Sequence, residues 1–317
     1  MAGFPGPKII DAASTRAALP MGPLVDALHA AFLAGAEVPL RHRHALPEGA
    51  SILMMPAWQG RTALGVKIVT VFPGNGARGL NAVSSTYLLC DGDTGQHLAI
   101  LDGNEITGRR TAAASALAGR YLARADARHL LVIGSGHVAG LLPEAWAAVR
   151  DIAQVTVWNI RPAGAERLAA ELRASGFNAT TATDLPAAVA TADIVSCATL
   201  SHTALVQGAW LRPGTHVDLV GAYMPTMCEA DAEAVRRARV FIDTDAALAE
   251  GGDVVQPLAT GIIGPDHIKG TLFSLCRGEA AGRESAEQIT LFKSVGSAIE
   301  DLAAAALVMR GQTGSAG

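Results

Sequence analysis

Residues His129 to Gly140 read HLLVIGSGHVAG, and the reading of this stretch decides the fold. Leu130 to Ile133 is a short apolar run of the kind that forms a strand buried on both faces. Gly134, Gly136 and Ala139 follow in G-x-G-x-x-A spacing, and Leu141 to Val149 continues at helical periodicity. Gly134 permits a tight turn. Gly136 has no Cβ to block a pyrophosphate, and the small Ala139 lets helix and strand pack closely. The N–H groups and positive dipole end of the helix then face the phosphates. The spacing by itself is common. With a strand before it, a helix after it and a second strand ending near Asn159, it reads as a dinucleotide-binding turn rather than an ordinary strand–helix connection. The expectation is an α/β chain with a Rossmann domain.

The end of that second strand bears on the cofactor. An acid there accepts from the ribose 2′-OH in NAD sites. Here the residues are Asn159-Ile160-Arg161. Asn159 does not repel a 2′-phosphate and Arg161 pairs with one, so NADP(H) is preferred and NAD(H) use is possible. The alternative is an Arg161 turned to solvent. Further along, Ala192 to Cys197 reads as a strand leading into Thr199-Leu200-Ser201-His202, and His216 to Val220 as another. Tyr223 follows at a carboxyl strand end, where ligands bind. Ala238 to Ile242 reads as a last short strand closed by Asp243. Phe292 to Leu302 opens a helix running to about Met309, expected to pack back on the N-terminal part.

Before the glycine turn, Pro23 to Leu33 is an amphipathic helix, and Ser51–Met55, Ala63–Val71, Ser84–Leu89 and Ala99–Asp102 are strands, with a hairpin turn over Cys90 to Gly95. Lys67 lies in the middle of one of them. A lysine there needs a charged partner, or it snorkels at a sheet edge. Thr107 to Ser115 leads into a helical segment ending near Arg124. Arg109 and Arg110 at the start of a helix oppose its dipole, so they point to a bound anion or are solvated surface groups.

Half the residues are apolar, 17% are charged, and the formal net charge is −4. That composition suits a well-buried soluble protein and offers no basic patch for nucleic acid. No apolar stretch reaches the length of a membrane span. MAGFPGPKIIDAAS lacks the plan of a signal peptide, so the expected compartment is cytoplasmic, and the closing GQTGSAG reads as a frayed tail. Cys90, Cys197, Cys228 and Cys276 lack zinc-site spacing and read as reduced thiols, and no cluster suggests a metal. His42, His44 and His202 are read as loop or surface groups, and Asp218, inside a strand, as a structural hydrogen-bonding group.

Along nearly its whole length the chain resembles the ornithine cyclodeaminase/mu-crystallin family. The matching residues are Pro39-Leu40-Arg41, Met55-Pro56-Ala57, Gly65-Val66-Lys67, Leu101-Asp102-Gly103 and Arg109-Arg110-Thr111-Ala112-Ala113. The GSGHVA turn, Val220-Gly221-Ala222 with Pro225, and Ser294-Val295-Gly296 with Glu300-Asp301 complete the set. The resemblance implies a Rossmann domain, residues 116–289, inserted into a smaller α+β substrate and dimerisation domain, residues 1–115 with 290–317, and a homodimer formed through the latter. Carried over residue by residue, Arg41, Lys67 and Arg110 bind a substrate carboxylate. Three converging cations are costly without an anion, and an arginine grips a carboxylate in bidentate fashion. Thr111, Gly134, Ser135, Gly136, His137, Val138, Asn159, Arg161, Ala198, Thr199, Ser294, Val295 and Gly296 would hold the cofactor. The candidate proton donors are Lys67, Tyr223 and an ordered water, among which the sequence does not decide.

Two positions depart from the family's cyclodeaminases, which carry a glutamate where this chain has Leu53 and a catalytic aspartate where it has Tyr223. Without those bases, ring closure with loss of ammonia is disfavoured. The segments His216–Met227 and Phe292–Gly296 are most similar to the bacterial reductases of Δ1-pyrroline-2-carboxylate and Δ1-piperideine-2-carboxylate, which make L-proline and L-pipecolate. The implied substrate is a small imino acid. The alternatives are an alanine dehydrogenase or iminosuccinate reductase acting on a linear imino acid, a cyclodeaminase, and a mu-crystallin-like NADPH and small-ligand binder.

Overall fold

The computed structural model describes residues 6–314. The chain divides into two units, Met1–Arg110 with Ser297–Gly317, and Thr111–Gly296.

The first unit opens with β1 (Lys8–Ile10), α1 (Ala12–Ala17) and α2 (Met21–Ala34). Asp11 caps α1 by accepting the Ser14 N–H at 2.8 Å. Along α2, Met21, Leu24, Val25, Leu28 and Phe32 recur at helical spacing and are buried, and the helix ends at Gly35 with φ +81°. The strands β2 (His42–Ala45), β3 (Ser51–Gln59), β4 (Ala63–Val71), β5 (Val83–Asp91) and β6 (His97–Asp102) follow. They form a six-stranded sheet in the order β1-β6-β5-β4-β3-β2. Between β5 and β6 the Asp91 carboxylate accepts the N–H groups of Asp93 and Thr94, which fixes the expected hairpin turn.

Helix α3 spans Gly103–Leu122. Asp102 accepts the Glu105 N–H at 2.8 Å and so caps its first turn. This corrects the sequence reading: Arg109 and Arg110 lie two turns inside the helix, where its dipole does not bear on them.

The second unit continues with β7 (His129–Ile133), α4 (His137–Ala147), β8 (Gln154–Trp158), α5 (Pro162–Ala174), β9 (Ala179–Thr181) and α6 (Leu185–Thr191). Then come β10 (Ile194–Cys197), β11 (His216–Leu219), α7 (Ala232–Arg237), β12 (Arg239–Ile242), α8 (Ala247–Glu250) and α9 (Gly252–Ala259). The unit closes with β13 (Ile268–Thr271), α10 (Leu272–Cys276) and β14 (Thr290–Lys293). All eight strands are parallel, in the order β13-β12-β14-β11-β10-β7-β8-β9. Leu131, Ile133, Val195, Val217, Leu219, Val240 and Leu291 meet in its core. Strand order reverses between β7 and β10, which makes their carboxyl ends the ligand crevice of a doubly wound sheet.

Two more expectations are corrected. β12 is not the last strand, and Phe292-Lys293 ends β14 instead of opening a helix. A four-residue run, Thr-Leu-Phe-Lys, carries no periodicity of its own, and pairing with β11 on one side and β12 on the other decides it. The closing helix α11 (Ala298–Gly314) starts later and runs past Met309. It returns to the first unit and packs on α2, β3, β4 and β5. Four residues of the expected tail are helical; residues 315–317, and 1–5 at the other end, lie outside the described residues. Among the described residues no helix is long and apolar enough to cross a membrane.

Candidate active site

In the first unit, cross-strand pairing sets Met55, Lys67, Tyr87 and Leu101 in one row across β3 to β6. Lys67 is only 1% exposed. Its ammonium lies 2.9 Å from Oδ1 and 2.8 Å from Oδ2 of Asp301 on α11, and donates to the Thr107 hydroxyl at 3.1 Å. Arg110 donates through Nε to Asp301 at 2.9 Å and through Nη1 to Glu300 at 2.6 Å. The structure therefore brings Lys67 and Arg110 onto one carboxylate, so Lys67 is a paired core lysine rather than a snorkelling one. The anion sought for the cations comes first from the chain itself, because Glu300 and Asp301 balance the two charges. Burial pushes the Lys67 ammonium down to about 8, outweighing the opposing pull of Asp301. Arg41 is partly exposed and comes one residue before the pair that His42 makes with Met54. Leu53 shares the face of Met55, and no acid takes its place.

In the second unit, Gly134 has φ +115°, and a Cβ there would lie 2.6 Å from the Ala198 carbonyl oxygen. Glycine is demanded twice over. Gly136, the N-cap of α4, faces open space: a Cβ would meet nothing within 4 Å, and no side chain caps the helix. Uncapped N–H groups beside an open glycine are what a dinucleotide pyrophosphate requires, so the residues present fit that group. His137 and Val138 form the first turn of α4, and Ala139 is fully buried. Asn159 Nδ2 donates to the Arg161 carbonyl at 2.9 Å. Arg161 is the exposed N-cap of α5. Arg167, unmarked by the sequence, donates to the Ser135 carbonyl at 2.7 Å and braces the turn. Thr111 sits partly buried on α3, and Tyr223 is 40% exposed four residues past β11.

Buried acids hold the loops at the carboxyl ends of the other strands. Asp243, just after β12, accepts from the Ser294 hydroxyl and from the N–H groups of Val295 and Gly296 at 2.7–3.0 Å. Glu229, fully buried, accepts the Thr199 N–H at 2.7 Å and its hydroxyl at 2.8 Å through one oxygen. Its other oxygen takes the N–H groups of Gly221 at 2.7 Å and Ala222 at 3.1 Å. Asp253 on α9 accepts the N–H groups of Glu229 and Ala230 and pairs with the Lys293 ammonium at 2.8 Å. Burial raises the Glu229 carboxyl to about 7, with Lys293 pulling the other way. Sequence reading assigned Thr107, Glu229, Asp243, Asp253 and Lys293 no role in a site. It quoted Glu300-Asp301 without a role, although adjacent acids among apolar helix residues were a signal. Asp218 accepts from the Ser196 hydroxyl inside the sheet, a structural role.

A parallel sheet with a glycine turn at its switch point defines the Rossmann class of folds. More particularly, the chain belongs to the ornithine cyclodeaminase/mu-crystallin family, whose profile matches residues 11–314. It is 40% identical over 288 residues to the Δ1-pyrroline-2-carboxylate reductase of Paracoccus denitrificans, covering 87% of this chain and 91% of that one. The structure of Thermococcus litoralis Δ1-pyrroline-2-carboxylate reductase in complex with NADH and L-proline superposes with a TM-score of 0.93 at 34% identity, over 97% of this chain and 98% of that one. The iminosuccinate reductase of Paracoccus denitrificans in complex with NAD+ gives a TM-score of 0.91 at 28% identity, over 98% of each chain.

Proposed function

We propose that this protein is an NAD(P)H-dependent reductase of cyclic ketimine carboxylates, converting Δ1-pyrroline-2-carboxylate or Δ1-piperideine-2-carboxylate to L-proline or L-pipecolate. The observation that carries the reading is the buried Lys67–Asp301–Arg110–Glu300 quartet in a chain 40% identical to such a reductase. The cofactor, when bound, supplies a hydride to C2 of the imine. The ring nitrogen keeps its iminium proton, the C=N π pair becomes its lone pair, and the amine then takes up a proton. Lys67 and Arg110, with Arg41, hold the carboxylate. Because Glu300 and Asp301 already balance both buried cations, an iminium carboxylate, neutral overall, enters without adding net charge. Lys67 and Tyr223 are the residues proposed to hand on the nitrogen proton.

The cofactor groups are those of the glycine turn, Gly134 to Val138, with Thr111, Asn159, Arg161, Ala198, Thr199 and Ser294 to Gly296. Asn159 and the exposed Arg161 favour NADP(H) over NAD(H), since no acid ends β8 to repel a 2′-phosphate. The working form is proposed to be a homodimer through the first unit.

The test is loss of reduced-nicotinamide absorbance with each cyclic imine in ammonia-free buffer, NADPH beside NADH. Rapid consumption, abolished in a folded Arg110→Ala variant, supports the reading; tight cofactor binding without consumption overturns it. The likeness to the iminosuccinate reductase favours a second reading, a linear imino acid substrate. Turnover that requires oxaloacetate or pyruvate together with ammonia would establish that one instead.

A further inference from the structure

We propose that Glu229 is the positioning residue for the nicotinamide half of the cofactor site, acting through the loops that follow β10 and β11. The inference rests on the dinucleotide reading above. In a doubly wound sheet the strands on either side of the switch point receive the two halves of a dinucleotide. Here the glycine turn after β7 and the end of β8 lie on one side, and the loops after β10, β11 and β14 on the other. The first group is built by glycine geometry and the uncapped start of α4. The second is made of irregular loops, and the N–H groups of Thr199, Gly221 and Ala222 there need an acceptor.

Glu229 answers that need. One carboxylate has lone pairs for four donors, and it takes four: two from Thr199 and one each from Gly221 and Ala222. No neutral side chain of that size matches this, since a glutamine offers one oxygen and would aim its own N–H groups at donors. The two loops are drawn so close that a Cβ on Gly221 would collide with the Thr199 backbone. Asp253 fixes Glu229 from behind through the Glu229 N–H at 2.6 Å, and reaches Lys293, the residue directly before Ser294-Val295-Gly296. The loops after β10, β11 and β14 are thus tied through a single buried chain of charges, Glu229, Asp253 and Lys293, that lies outside the glycine turn; Ala198 and Thr199 pack on Gly134, so the ADP-ribose arm also reports on that contact.

That separation makes the role testable without turnover. ADP-ribose carries every part of NADH except the nicotinamide ring, so the difference between the two ligands isolates that ring's site. Both are titrated calorimetrically into the wild type and into Glu229→Gln, with dihydronicotinamide fluorescence as a second signal. The variant is expected to bind ADP-ribose as the wild type does, and NADH about tenfold more weakly, as loss of a charge-assisted hydrogen bond implies. The emission of NADH bound to the variant should also shift toward that of the free cofactor. Equal weakening of both ligands, or weakening of neither, overturns the proposal. If Glu229→Gln does not fold, Thr199→Val, which removes one of the four donors, is read by the same comparison. A wild type that binds neither ligand refutes the dinucleotide reading itself, a different outcome from either.

Discussion

Lys67 and Asp301 stand 234 positions apart in the chain, yet the lysine ammonium lies within 2.9 Å of both carboxylate oxygens, with neither side chain more than 2% exposed. Arg110 closes on the same carboxylate. Strand β4 supplies the lysine, α3 the arginine and α11 the acid, so the last helix completes the charge balance of a cluster seeded near the start of the chain.

Asp301→Asn removes the anion that two buried cations share. Breaking a buried pair from one side costs roughly 3–5 kcal/mol, because an uncompensated charge stays behind. The urea midpoint should fall accordingly, and Lys67→Met combined with Asp301→Leu should recover much of the loss. A single variant as stable as the wild type would show that the pair contributes nothing.

The contribution of Lys67 to stability should rise with pH in alkaline solution. The Lys67 ammonium is held at about 8 in the folded chain against 10.5 ordinarily. Between those values the unfolded chain binds more protons at this residue than the folded one, so raising pH through that window favours folding. The stability difference between wild type and Lys67→Met, followed by denaturant titration across the window, isolates the effect. A difference independent of pH would contradict it.

Gly134→Ala and Gly136→Ala should fail differently. At Gly134 the backbone is left-handed and the Ala198 carbonyl is 2.6 Å from a Cβ, so alanine should destabilise the fold. At Gly136 a Cβ meets nothing, so the variant should melt like the wild type and yet lose dinucleotide affinity, its methyl standing where the pyrophosphate approaches. Thermal melts beside ADP-ribose titrations separate the two, and a Gly136→Ala protein that binds normally would move the phosphates elsewhere.

Arg161→Ala should weaken NADPH while leaving NADH nearly unchanged. Arg161 is exposed at the N-cap of α5, and under the proposed NADP(H) preference it pairs with the 2′-phosphate. Parallel affinity measurements decide the point; equal effects on both cofactors would make Arg161 a solvated surface group.

The Rossmann unit was legible because its signals are local. A strand, a glycine turn and a helix occupy twelve consecutive residues, His129 to Gly140, and each is specified by its own neighbours. The hairpin at Asp91 and strand β4, predicted at the bounds it has, were readable for the same reason. Strand β14 was not, because its identity comes from the strands on either side. The start of α3 was misplaced by four residues, which turned Arg109 and Arg110 into helix-end cations they are not.

By itself the sequence determined the class of fold, the glycines of the turn after β7, and the lysine whose place in an apolar strand demands a counter-charge. Only the tertiary structure decided which groups answer that demand. Glu300 and Asp301 meet Lys67 and Arg110, and Glu229 meets Thr199 and Gly221, across separations of up to 234 residues. Glycine preferences and periodicity are set by adjacent atoms, whereas a buried charge is stable only beside a partner that folding brings to it.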